Sequence, residues 1–303
     1  MMKKTFSQIS MRLMGSGKKS HLSFLAMIAL LFSLAADQAN LETRLHIRSV
    51  DLSAEDLPLV MASTNGYDIK KVRHGNQAVP RIHVETLDTS GLTPGAKNRH
   101  KETFLKTMLP MVLHVNEQIL ADRQRLRELM ARSYTHLSAK DRVWVTRLAT
   151  RYKVKPHDMR ELLHRLDIVP PSLALGQSVV ESGWGGDNLA ARYNSPFGHR
   201  ELVRSSAAKA SGKKYKLKTF DSLHDAIVGY IHNINTHGAY KVLREQRSAM
   251  RRNGETINGY KLASGLTRYS ELGHRYVQKI QHIIRQNDLT SFDKAYLGDQ
   301  SGA

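Results

Sequence analysis

The segment PPSLALGQSVVESG, residues 170–183, constrains this chain more than any other. Its residues are mostly apolar or small, and its one carboxylate, Glu181, stands near the end. Proline suits the first turn of a helix, where its missing N–H costs no hydrogen bond. Glycine suits the position just past the end, where the backbone turns left-handed. The segment therefore predicts an apolar helix opened by Pro170-Pro171 and closed by Gly183, with Glu181 in its last turn. There a carboxylate meets the negative end of the helix dipole, which disfavours its ionised form. Burial beside Val179, Val180 and Trp184 acts in the same direction. Gly183, Gly185 and Gly186 leave room for a bulky ligand to reach the backbone. Glu181 is thus expected to stay protonated near neutral pH and to donate into a cleft as a general acid. Gln177, one turn earlier on the same face, is placed to orient it. The plainer alternative is an exposed helix-end glutamate beside a core tryptophan.

Around this segment the chain reads as helical. In KETFLKTMLPMVLHVNEQILADRQRLRELMAR, Met108, Val112, Val115, Ile119, Leu126 and Met130 recur at helical spacing, and Pro110 predicts a kink or a second start. LSAKDRVWVTRLATRYKV carries a capping box, Ser138 with Asp141, and DSLHDAIVGYIHNINTH carries another, Ser222 with Asp225. HDMRELLHRLDIV, AYKVLREQRSAMRRN, GYKLASGL and ELGHRYVQKIQHIIRQN complete the helical set. GHRELVRSSAAKASGKKYKLKTF is polar, basic and aperiodic, as a loose hairpin or loop would be. Upstream, LHIRSVDLS and VPRIHVETLD alternate like short strands, flanking a turn-rich basic loop, ASTNGYDIKKVRHGNQ; DTSGLTPGAKNRH reads as a linker. The fold expected is mainly α with a small β-hairpin. Its parts are an irregular basic segment over 37–100, a kinked helical collar over 101–137, a catalytic domain over 138–289 and a frayed tail over 290–303.

The amino terminus points to export. A basic stretch ending GKKSH leads into LSFLAMIALLFSLAA, residues 22–36, with Ser33-Leu34-Ala35 as a small-x-small cleavage site. Residues 1–36 are expected to be a signal peptide, with a membrane anchor as the alternative, and the remainder to lie in the periplasm or cell envelope. Charge supports an anionic target. There are 46 Lys+Arg against 27 Asp+Glu; subtracting the five cations of the leader (Lys3, Lys4, Arg12, Lys18, Lys19) leaves 41, a balance of +14. The basic clusters contain few stacking aromatics and no nucleic-acid module, so no nucleic acid is expected, and a carboxylate-rich wall is the partner that export permits. Cysteine is absent, which excludes disulfides and thiolate zinc. The fifteen histidines include no H-E-x-x-H, and neither metal nor cofactor is expected.

LALGQSVVESGWGGDNLAARYNSPFG resembles the signature of bacterial peptidoglycan glucosaminidases, A-x-A-Q-x-x-x-E-S-G-W-G followed by N-N-x-F-G. The likeness is nearest to the Bax-type branch. FLKTMLPMVLHVNEQILADRQRL, YIHNINTHGAYKVLRE and LTRYSELGHRYVQKI extend it in order over residues 100–288. The resemblance implies a lysozyme-like α fold, a saccharide groove and hydrolysis of β-1,4 bonds between amino sugars of the glycan strand. It puts Glu181 on the family's acid, Trp184 on its tryptophan, and Asn194, Phe197 and Gly198 on the N-x-F-G element. It puts Tyr269 on the tyrosine that closes the cleft opposite the acid. Gln177, Trp184, Asn194, Phe197 and Gly198 are expected to line the site. Asn-Ser-Pro replaces the usual Asn-Asn-Leu, and Gly176 stands where a small alanine-like residue is common.

Glycosidases usually pair two carboxylates about 5 to about 9.5 Å apart. Between Asn188 and Phe220 the one acidic residue outside the motif is Glu201, the expected base or nucleophile; the plainer reading is a surface glutamate balancing Arg200 and Arg204. A substrate acetamido group acting as internal nucleophile, with Tyr269 orienting it or the water, is a further route. Three functions stay open: a β-N-acetylglucosaminidase, a lytic transglycosylase, and a peptidoglycan-binding protein without turnover.

Overall fold

The computed structural model describes residues 67–86, 97–187, 190, 192–202 and 215–299, all within one compact unit, Ser49–Ala303. The candidate strand at 45–53 and the apolar stretch at 22–36 lie outside the described residues.

The element order begins with α1 (Ile69–Arg73), α2 (Lys97–Leu129), α3 (Ala139–Arg151), α4 (Met159–Arg165) and α5 (Pro171–Ser182). A hairpin follows, β1 (Arg200–Leu202) antiparallel to β2 (Tyr215–Leu217), and then α6 (Leu223–Thr236), α7 (Lys241–Arg252), α8 (Gly259–Leu262) and α9 (His274–Gln286). A final 3-10 turn spans Leu289–Lys294. The architecture is mainly α with one small hairpin, as expected. Among the described residues no helix is long and apolar enough to cross a membrane.

Helix α5 lies at the centre of the packing. Every residue from Pro171 to Val179 is buried, and α9, α8, α2 and the terminal 3-10 turn pack around it. Gly176 permits the α9 crossing, since a Cβ there would come within 2.8 Å of Ile284 Cγ1. The approach to α5 is tied down by polar groups. Asn116 exchanges hydrogen bonds with the backbone of Val169, at 2.8 and 3.3 Å, and Arg247, fully buried, donates to the carbonyls of Asp167 and Ile168. Arg251 pairs with the Asp167 carboxylate at 2.7 Å, so the buried charge is compensated.

Four expectations are corrected. Helix α2 starts at Lys97, inside the expected linker, and runs through Pro110 to Leu129 as one element. Proline cannot bond the carbonyl four residues back, and that carbonyl, of Lys106, instead accepts from the hydroxyl of Tyr67 at 3.1 Å. The loop expected over 62–77 contains α1, capped by Asp68 through the Lys70 N–H. Of the strand expected at 79–88, the described residues 79–86 form one parallel bridge, Val79 with Leu297, and residues 87–88 lie outside the described residues. The tail is not frayed through Asp299: Leu289 and Phe292 are fully buried, Arg73 stacks on Phe292 at 4.3 Å, and Val79 binds Tyr296 and Gly298 by backbone bonds of 2.9 Å. These contacts join segments some two hundred residues apart, which no local pattern encodes.

Candidate active site

Glu181 sits in the last turn of α5, half-buried, and Gly183 closes the helix in the left-handed conformation at φ 58°. Trp184 and Gly185 continue left-handed, at φ 63° and 79°. Three such residues in succession, one of them a bulky tryptophan, store strain of order 1–3 kcal/mol at the non-glycine position. The surroundings hold it. Ser182 Oγ donates to the Ser178 carbonyl at 2.6 Å and accepts from the Gly185 N–H at 2.9 Å. His100 of α2 donates to the Trp184 carbonyl at 2.6 Å, and the indole packs edge-on to Phe104, beneath the Lys101 ammonium at 5.0 Å.

One carboxyl oxygen of Glu181, Oε1, accepts from the hydroxyl of Tyr276 at 2.8 Å. The other, Oε2, faces Gly198, where a Cβ would lie only 2.9 Å away. Burial raises the Glu181 pKa above the ordinary glutamate range; the Tyr276 bond and the cations of Lys279 and Arg200 hold back part of that rise. The group therefore has the character of an acid that keeps its proton to higher pH than a surface glutamate.

The family model Glucosaminidase, described as mannosyl-glycoprotein endo-beta-N-acetylglucosaminidase, matches residues 157–289, which hold all of these groups except His100, Lys101 and Phe104. Protein bax of Escherichia coli strain K12 is 31% identical over 194 residues, covering 62% of this chain and 69% of that protein. The chain belongs to the Bax-type glucosaminidase family. Its catalytic domain is accordingly of the glycosidase type. No solved structure matches it.

In this Bax-type glucosaminidase the other expected residues divide into two groups. Gln177, Asn194 and Phe197, expected to line the site, are buried, with exposures of 0%, 7% and 1%. Gln177 reaches Glu181 through the Tyr276 hydroxyl. Phe197 stacks on Tyr230 at 4.0 Å, and its carbonyl accepts from the Tyr269 hydroxyl at 2.8 Å. That bond holds the turn that brings Gly198 to Glu181. Asn194 adopts φ 46°, a conformation asparagine tolerates better than most residues. Tyr269 lies half-buried, stacked on Tyr276 at 5.2 Å. Burial and the nearby Glu181 charge push its pKa well up, so it remains a neutral phenol.

Glu201 is the least engaged. It stands on β1 directly opposite Lys216 of β2 and pairs with it at 3.0 Å, the two side chains 41% and 61% exposed. This is the surface-balancing arrangement, with Lys216 as partner in place of the arginines expected. Tyr276 and Tyr230 were not singled out from the sequence. Tyr276 lies inside LTRYSELGHRYVQKI, seven residues past Tyr269, and nothing in its spacing distinguishes it from a core aromatic. A hollow of about 390 Å³ lies between Met130–Tyr134 and His157–Arg160. It sits at the end of α2 opposite to the Trp184 contact, roughly 40 Å along the helix at 1.5 Å per residue, and takes no part in the site.

Proposed function

We propose that this protein is a peptidoglycan hydrolase that cleaves β-1,4 bonds within the glycan strand as an endo-acting β-N-acetylglucosaminidase, with Glu181 as the general acid. The observation that carries the reading is the environment of that one carboxyl: half-buried, shifted toward its neutral form, and with Oε2 against Gly198, where no side chain intervenes. In the reaction Glu181 gives its proton to the glycosidic oxygen as the C1–O bond breaks. Water adds to C1, and its spare proton returns to a base. The sugar chain would run over the glycine-rich turn at 183–186 and past Tyr269. Export through residues 1–36, a periplasmic or envelope location and inner-membrane association through residues 22–36 belong to the same proposal, as does attraction of the basic surface to the anionic wall.

A second reading has one observation in its favour. Glu201 is already paired with Lys216 and is 41% exposed, so a mechanism that needs a single glutamate, as in a lytic transglycosylase, fits equally well. Digestion of purified sacculi with the wild type and with Glu181→Gln, followed by mass spectrometry of the fragments, separates the cases. Reducing N-acetylglucosamine ends support the proposal, and 1,6-anhydro-muramyl ends transfer it to the transglycosylase. Binding without any fragments makes the protein a wall binder, and full activity in Glu181→Gln removes the acid.

A further inference from the structure

Behind Glu181 runs a buried row of polar groups, in which the sequence pattern singles out Gln177 but neither of the tyrosines beside it, Tyr230 and Tyr276. The Tyr230 hydroxyl donates to Gln177 Oε1 at 2.7 Å, Gln177 Nε2 donates to the Tyr276 oxygen at 3.0 Å, and the Tyr276 hydroxyl donates to Glu181 Oε1 at 2.8 Å. Exposures of 0% for Tyr230, 0% for Gln177 and 2% for Tyr276 shut water out of the row. Its direction follows from chemistry. An amide oxygen only accepts and an amide nitrogen only donates, while each phenol has one proton to give. With Tyr230 giving its proton to the amide oxygen, the amide nitrogen must give to Tyr276. Tyr276 then has one proton left, and Glu181 is its sole recipient.

We propose that Gln177 and Tyr276, oriented by Tyr230, form a directional hydrogen-bond relay that fixes which oxygen of Glu181 carries the acid proton. Oε1 is held permanently as an acceptor, so in the neutral acid the proton sits on Oε2. That is the oxygen that lies against Gly198, where a Cβ would come within 2.9 Å of it. The relay also acts after the proton has left, because the Tyr276 hydroxyl stabilises the carboxylate that forms, strengthening as charge appears. Gln177 is therefore a positioning residue that acts through Tyr276, which explains its complete burial one turn before the acid. Stacking on Tyr269 at 5.2 Å and 10° keeps the phenol of Tyr276 in the plane from which it reaches Oε1. The inference rests on Glu181 being the acid.

The test is the protonation of Glu181 itself, read two ways in Tyr276→Phe and Tyr230→Phe. One readout is the pH dependence of kcat on soluble glycan fragments. The other is the carboxyl 13C titration of Glu181 in glutamate-labelled full-length protein, assigned by its loss in Glu181→Gln. Tyr276→Phe keeps the stacked ring and removes only the donor. The Glu181 titration and the alkaline limb of activity should both move up by about one pH unit, with kcat falling roughly tenfold and KM unchanged. Tyr230→Phe frees the amide to turn over and should give a smaller shift of the same sign. An unmoved titration in both variants overturns the relay, and so does a downward shift, which would mean that Glu181 donates into Tyr276. Should Tyr276→Phe fail to fold, the sign in Tyr230→Phe decides. Full activity of Glu181→Gln would instead remove the acid assignment, an outcome the titration does not share.

Discussion

Gly183 and Gly198 offer a matched pair of substitutions that isolates the contact between the chain and the Glu181 carboxyl. Both are left-handed, at φ 58° and 64°, so alanine at either carries the same backbone penalty, about 1 kcal/mol. Their surroundings differ. A Cβ at Gly183 meets nothing within 4 Å, whereas a Cβ at Gly198 comes within 2.9 Å of Glu181 Oε2 and 3.6 Å of its carboxyl carbon. Ordinary contact begins near 3.4 Å, so Gly198→Ala must displace the carboxyl by about half an ångström or turn it off the Tyr276 hydroxyl. Misplacement of a catalytic group by 1 Å costs on the order of a hundredfold in rate, so a tenfold or larger loss of kcat is expected. Both variants should lose similar stability, read as urea midpoints at constant m-value. Only Gly198→Ala should lose turnover, measured as fragment release from sacculi normalised to folded protein. Equal activity in the two variants would refute the claim that residue 198 must be bare because the working oxygen of Glu181 lies against it.

Three further outcomes follow from the same geometry. Glu201→Gln breaks an exposed ion pair with Lys216, so stability should change by less than about 1 kcal/mol, and most of the activity should remain; loss of activity by orders of magnitude at unchanged melting temperature would make Glu201 the second catalytic carboxylate. Asp293 accepts from Ser172 N, Ser172 Oγ and Gly259 N at 2.8, 2.7 and 3.1 Å, capping the first turns of α5 and α8, and Asp293→Ala should cost about 2–4 kcal/mol in a denaturant titration. Burial lowers both His199 and His224 to about 4, with Lys218 adding to it at His199 and the neighbouring His83 and His114 at His224. The unfolded chain binds these two protons near pH 6.5 and the folded one only near 4, so their stabilisation is complete above 6.5 and is lost as the pH falls to 4. Asp293, raised to about 6 by burial, opposes this in part, because the folded state takes up its proton more readily. Urea unfolding should therefore show a loss of a few kcal/mol between pH 7 and pH 4.5, reduced in His224→Gln; a flat profile would contradict the burial of these rings.

Several helix boundaries and the position of Glu181 at a helix end were legible in the sequence because short-range interactions encode them. Ser138 accepts from the Asp141 N–H at 3.1 Å and Ser222 from the Asp225 N–H at 3.0 Å, bonds across three residues that a capping box announces. Gly183 closes α5 for a reason local to its own φ, and the run from Gln177 to Gly198 carries the family signature that marks Glu181. The groups that surround the Glu181 carboxyl were not legible in this way. Tyr276 is 95 residues away from it, Tyr230 is 53 from Gln177, and Tyr269 is 72 from the carbonyl it holds. The docked tail and the uninterrupted α2 likewise depend on partners remote in the chain, Val79 and Tyr67 among them. A tyrosine's spacing says that it belongs to a helix face, but the direction of its hydroxyl is settled only when distant helices close around it. Thus Glu181 and the helix that carries it are written locally. Its proton affinity, and which of its two oxygens is free, emerge from packing.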